Sequence, residues 1–104
     1  MAFALTALYN HPEDVAAFDE YYDGSHAPLA ATLPGMTAYS VSRPGPDAEG
    51  NPPPYHLIAV LTFPDAETFG SALGGDVGQR AVADLANFAQ AGVVLMSGPI
   101  DSVM

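Results

Sequence analysis

The sequence predicts an α+β domain of the ferredoxin-like, split βαβ kind, in the order β-α-β-β-α-β around a four-stranded antiparallel sheet. Three observations predict it. Apolar segments of strand character occupy residues 1–9, 36–43, 55–63 and 92–98. Amphipathic helical stretches separate the first from the second and the third from the fourth. A loop dense in proline, glycine and acids separates the middle two. At 104 residues the chain is read as one domain spanning 1–104, able to bury roughly two thirds of its unfolded surface.

The first strand, "MAFALTALY", alternates Phe3, Leu5, Ala7 and Tyr9 on one face with Ala4, Thr6 and Leu8 on the other. Its start has no basic region and no cleavage signature, so it is read as folded sequence. "NHPED" then supplies a helix start, with Asn10 or His11 as cap and Pro12 in the first turn. Along residues 13–27, Val15, Phe18, Tyr22 and His26 form one stripe, with Asp19, Glu20 and Asp23 on the solvated side. Gly24 weakens the last turn, and Pro28 is expected to break or bend the helix before "PLAATL" and the Pro34-Gly35 turn.

The second strand, Met36 to Arg43, puts Thr37, Tyr39, Val41 and Arg43 on one face. The third, "YHLIAVLTF", is apolar on both faces. Asp65 is expected to cap the helix that follows, and Asp76 to re-cap a second segment, "DVGQRAVADLANF", after the Gly74-Gly75 interruption. "GVVLMSG" closes the sheet. Helices on one side leave the other face bare, although strands one, three and four are apolar on both faces. A second copy of the chain is the simplest cover, so a homodimer is expected.

Charge excludes several partners. Twelve acids against two arginines, with no lysine, give a net charge of −10. Such a surface repels nucleic acid and anionic membranes. Without lysine there is no Schiff base, and without cysteine no thiol nucleophile, thiolate metal site or disulfide. The apolar runs are too short to span a bilayer, which makes the cytoplasm the default location. Neither a metal nor another cofactor is expected, because His11, His26 and His56 share no ligand spacing and no glycine-rich dinucleotide fingerprint follows a strand.

The stretch from Phe18 through Tyr22, His26, Pro28 and Leu29 to Leu33-Pro34-Gly35, followed by Tyr55-His56 and by Asp84 and Phe88, resembles the EthD family of the dimeric α+β barrel superfamily. The resemblance covers nearly the whole chain. It implies a homodimer whose two sheets pack into a barrel, with a pocket between sheet and helices in each subunit. The family is named for a protein involved in degrading ethyl tert-butyl ether, and most members have no assigned reaction. Similar folds serve as lactone isomerases, polyketide-tailoring enzymes, decarboxylases of aromatic polyketides and cofactor-free oxygenases. A cysteine-assisted isomerase mechanism has no counterpart here, since the chain has no cysteine.

His26 and Tyr22 are the catalytic candidates. A histidine titrates near pH ~6.5 and can serve as general acid or base, whereas its structural alternative is a half-buried ring bonded to backbone beside the helix break. Tyr22, one turn earlier, either orients a carbonyl or phenol beside His26 or anchors the helix to the sheet. Phe18, Tyr39 and His56 are the substrate-binding candidates: Phe18 as core or pocket wall, and His56 facing either the pocket or the dimer interface. Arg43 either holds a carboxylate or pairs with an acid, and His11 reads as surface or cap. The function expected is a cofactor-independent enzyme performing isomerisation, cyclisation or decarboxylation on a hydrophobic, oxygen-bearing small molecule. The alternatives are a non-catalytic ligand-binding dimer and a cofactor-free monooxygenase.

Overall fold

A computed structural model describes all 104 residues. Strands β1 (Phe3–Tyr9), β2 (Ala38–Ser42), β3 (Leu57–Phe63) and β4 (Val93–Pro99) form one sheet in the order β2-β3-β1-β4, every neighbouring pair antiparallel. The first crossover contains α1 (Val15–Tyr21), a π-helical segment (Tyr22–His26) and α2 (Ala27–Ala30). The second contains α3 (Ala66–Gly74) and α4 (Asp76–Phe88). The order and pairing are those expected from the alternation of apolar segments. The Cα atoms span 40 × 35 × 18 Å, the shape of a slab two layers thick.

Register fixes what each face of the sheet does. Leu5 pairs with Leu61, Ala7 with Ala59 and Tyr9 with Leu57, and these face the helices and form the core with Phe18, Tyr22 and Phe88. The other face carries Thr6, Val60 and Ser40 in one row and Leu8, Ile58 and Val94 in the next. Met96 on this face is 53 % exposed and Val94 41 %. No helix of the protein is long and apolar enough to cross a membrane.

Several local expectations need correcting. Helix α1 starts at Val15 and is capped by Asp14, whose carboxylate accepts from the Ala17 N–H at 3.0 Å. Asn10 and His11 precede it and turn elsewhere, to the carbonyls of Ala91 and Pro53. Val15, in the first turn, is exposed and does not join the buried stripe.

At Pro28 the chain does not break: the proline stands in the first turn of α2, the second short helical turn that "PLAATL" suggests. Proline has no N–H to give the Gly24 carbonyl, and its ring crowds that carbonyl in an α-helix. A wider π-helical turn resolves both problems, with the Ala27 N–H bonding five residues back to the Tyr22 carbonyl. Strand β3 begins at Leu57, so His56 lies just before it and does not follow the alternation of the strand. Asp65 does cap α3, accepting from the Thr68 N–H at 2.7 Å. Gly75, not Asp76, is the N-cap of α4.

Candidate functional site

A cavity of about 240 Å³ lies between the helix-facing side of the sheet and the helices. Its walls are mostly aliphatic and aromatic, including Leu61, Phe69 and Leu85, and Val82 and Leu95 mark where it reaches the surface. Only four side chains lining it carry polar atoms: Tyr9 from β1, Tyr22 and His26 from the π-helical segment, and Tyr39 from β2.

His26 is 6 % exposed and packs against Phe88, with ring centroids 4.6 Å apart. Its Nδ1 stands 3.0 Å from Oδ2 of Asp84 on α4. The other carboxylate oxygen of Asp84 accepts from the Tyr21 hydroxyl at 2.6 Å and from the Asn87 amide at 2.9 Å. Burial works to raise the Asp84 carboxyl, but the hydrogen bonds from Tyr21, Asn87 and His26 prevail and hold its pKa below the ordinary value. Asp84 is therefore a carboxylate near neutral pH, and Nδ1 must donate to it.

That contact fixes the tautomer, because the proton of a neutral His26 resides on Nδ1 and the lone pair on Nε2. Nε2 makes no hydrogen bond within the protein. No enclosed side-chain nitrogen or oxygen lacks a partner, so Nε2 is not sealed in, and His26 lines the cavity. Burial lowers the imidazole pKa, partly offset by Asp84, so the ring is neutral and basic at pH 7.

The hydroxyls of Tyr22 and Tyr39 lie 2.6 Å apart and share one hydrogen bond, which leaves one O–H proton of the pair uncommitted whichever of them donates. Burial raises both phenol pKa values, and each stays protonated across the physiological range. The site thus combines a positioned base, neutral hydroxyl donors and dry walls.

The candidate residues from the sequence divide into two groups. His26, Tyr22 and Tyr39 come together at the cavity. Phe18 and His56 do not line it. Phe18 stands behind Tyr22, stacked on its ring at 6.1 Å and edge-on to Tyr9 at 5.5 Å. The His56 ring meets Phe18 edge-on at 5.2 Å, and its Nε2 pairs with Asp19 at 2.8 Å. Both residues therefore sit one layer behind the cavity wall. Arg43 pairs with Asp23 at 2.9 Å, the acid-pairing alternative.

Two residues of the site carry no role in the sequence reading, Asp84 and Tyr9. A signal for Asp84 exists: Ala81, Leu85 and Phe88 mark the core-facing stripe of α4, and Asp84 is the one acid within it. An acid on an apolar stripe needs a partner, and the nearest unexplained basic group is His26.

A family model described as "EthD domain" matches residues 10–92. The chain belongs to the EthD family. An uncharacterised 11.0 kDa protein in the thcB-thcC intergenic region of Rhodococcus erythropolis is 36 % identical over 102 residues, 98 % of each chain. The crystal structure of an EthD family protein from Bacillus halodurans superposes with a TM-score of 0.90 at 34 % identity, covering 97 % of this chain and 100 % of that one. A dimeric ferredoxin-like protein of unknown function from Thermobifida fusca gives a TM-score of 0.71 at 19 % identity, covering 96 % and 92 %. Two enzymes share the fold at lower identity. SnoaB, a cofactor-independent oxygenase from Streptomyces nogalater, has a TM-score of 0.67 at 14 % identity, with 99 % and 95 % covered. The hydroxynitrile lyase of Passiflora edulis has a TM-score of 0.74 at 10 % identity, with 98 % and 96 % covered. At these identities the likeness concerns the fold alone.

Proposed function

We propose that this EthD protein is a homodimeric, cofactor-independent enzyme that moves a proton on a small hydrophobic substrate bearing a carbonyl or phenolic oxygen. The observation that carries the proposal is the His26–Asp84 pair, which leaves Nε2 free and neutral at a cavity whose other polar side chains are three tyrosines. Nε2 takes a proton from the carbon beside the carbonyl, or from a phenol. Asp84 steadies the imidazolium that forms, and the uncommitted hydroxyl of the Tyr22–Tyr39 pair donates to the developing oxyanion. Return of the proton from His26 to a different atom completes an isomerisation. Attack of the enolate on a second carbonyl of the substrate closes a ring, the new alkoxide taking the proton back from His26. In a decarboxylation Nε2 takes the proton of the substrate's carboxylic acid, carbon dioxide leaves, and His26 returns that proton to the carbanion.

Size supports a compact substrate. An apolar cavity of about 150 Å³ holds benzene, so 240 Å³ suits a substituted single ring or an aliphatic carbonyl of similar bulk. Membership of the EthD family supports a setting in the breakdown of apolar oxygenated compounds or the tailoring of aromatic polyketides. Phe18 and His56 act in this reading by backing Tyr22 and α1, not by touching substrate.

The test is exchange of the methyl protons of acetophenone in D₂O, followed by ¹H NMR. The wild type is expected to accelerate exchange, and His26→Ala to lose that acceleration by roughly 10²–10⁴-fold, the usual worth of a positioned base, while remaining folded. Acetophenone bound without exchange would replace the enzyme with a non-catalytic binding protein. Oxygen uptake with a phenolic substrate would replace it with a monooxygenase.

A further inference from the structure

Tyr9 ends β1 on the helix-facing side and is 2 % exposed, held between the rings of Phe18, Tyr22 and Phe88 at centroid distances of 5.5, 5.7 and 5.6 Å. A phenol so deeply enclosed ordinarily finds a partner for its hydroxyl, because leaving one buried and unpaired is costly. This one has none. The Tyr22 and Tyr39 hydroxyls bond each other, and Asp84 is taken by Tyr21, Asn87 and His26. No sealed oxygen in the protein goes unpartnered, so the little surface Tyr9 keeps includes its hydroxyl, and the residue lines the cavity.

The electrostatics of the hydroxyl fix its protonation state. Burial raises the Tyr9 pKa far above the ordinary phenol value, and the Tyr39 phenol and the Asp84 carboxylate raise it further. Tyr9 lines the same cavity as His26, Tyr22 and Tyr39, with its ring 5.7 Å from that of Tyr22. There it is a donor at any physiological pH, with nothing in the protein to receive its proton.

We infer that Tyr9 is a substrate-binding residue whose hydroxyl donates to an acceptor oxygen of the bound molecule, so that the cavity selects carbonyl compounds over hydrocarbons of the same shape. The inference rests on the proposal that the cavity takes a small oxygen-bearing substrate, but it concerns recognition and not proton transfer. A carbonyl oxygen held by Tyr9 lies in the cavity that His26 also lines. It also receives hydroxyl character from two directions, Tyr9 and the Tyr22–Tyr39 pair, which favours an enolate oxygen over a ketone oxygen.

The matched probes are acetophenone and ethylbenzene, which differ by a carbonyl in place of a methylene. Their affinities are measured by calorimetry on the wild type, Tyr9→Phe and His26→Ala. The wild type is expected to prefer acetophenone, and Tyr9→Phe to lose roughly three- to tenfold of that preference, the worth of one net hydrogen bond, with ethylbenzene binding unchanged. Since the hydroxyl has no partner to lose, Tyr9→Phe is expected to melt within a degree or two of the wild type.

His26→Ala is expected to keep the preference while losing proton exchange, which separates the two readings. A preference that survives in Tyr9→Phe overturns the inference and leaves the base assignment standing. Exchange that survives in His26→Ala overturns the base assignment and leaves Tyr9 standing. A wild type indifferent to the carbonyl overturns the Tyr9 reading outright. A crystal structure of the acetophenone complex gives an independent reading that needs no variant. The ketone oxygen is expected about 2.5–3.0 Å from the Tyr9 oxygen, and an oxygen bound elsewhere overturns the inference.

Discussion

Burial strips water from the His26 ring and disfavours its cation, while the Asp84 carboxylate beside Nδ1 favours that cation. Burial prevails, so the pKa falls below 6.5 and the ring stays a base where an ordinary histidine is half protonated. Asp84→Asn removes the opposing influence, so the His26 pKa is expected to fall further in that variant. A ¹H–¹³C NMR titration of the His26 Cε1–H signal reads both values, and a wild-type midpoint above 6.5 would contradict the balance described. The sign for stability follows from the same shift. Between the folded and unfolded pKa values the unfolded chain binds the extra proton, so the His26 contribution is complete above about pH 6.5. It is lost as pH falls through that window. The depressed Asp84 carboxyl adds a second loss of the same sign at lower pH. Thermal melts are expected to be flat from about pH 7 to 9 and to decline in two steps on the acid side. They are expected to fall again from about pH 10, where tyrosines ionise in the unfolded chain but Tyr9, Tyr22 and Tyr39 resist ionising in the fold.

The helices separate what the sequence makes legible from what it hides. Phe18, Tyr22 and His26 follow one another at four-residue spacing, a relation local enough to read directly, and all three are buried. The His26–Asp84 pair joins residues 58 apart and depends on where α4 crosses the first helical layer, which no local period encodes. The π-helical turn is similarly hidden. Pro28 announces a disturbance, but whether the chain breaks or widens is decided by the packing of α2. The crossing of α4 is set partly at Gly78, where a Cβ would run into the backbone oxygens of Ala72 and Leu73 at the end of α3. Backbone cannot rotate aside, so Gly78→Ala is expected to cost about 1–3 kcal/mol, or roughly 4–8 °C of melting temperature per kcal/mol for a domain of this size. Gly70, inside α3, faces open space. Gly70→Ala is the control and is expected to stabilise by about 0.4–1 kcal/mol through reduced freedom of the unfolded chain. Equal effects of the two substitutions would show that helix propensity, not the close approach, governs Gly78.

At the scale of the whole molecule, the sheet has one face in the core and one without cover. Both faces of β1, β3 and β4 are apolar in the sequence itself, and the register names the residues. The uncovered face runs Ala4, Thr6 and Leu8 on β1, Ile58, Val60 and Thr62 on β3, with Val94 and Met96 on β4. Ala38, Ser40 and Ser42 complete it on β2, and Gly98 on β4. None of the chain's twelve acids is among them, although each copy carries a net charge of −10. A second copy can therefore approach this face without bringing like charges into contact. Val60 lies at the middle of the face, paired with Thr6 on one side and Ser40 on the other. Val60→Asp places a carboxylate there in both copies, and an uncompensated charge in a buried apolar contact costs several kcal/mol. Light scattering after gel filtration is expected to give twice 10.7 kDa for the wild type and 10.7 kDa for Val60→Asp. The cavity lies on the opposite side of the sheet, so the His26 NMR signal of the variant should keep its wild-type titration. A wild type of 10.7 kDa, or a variant that remains paired, would remove this face as the dimer contact.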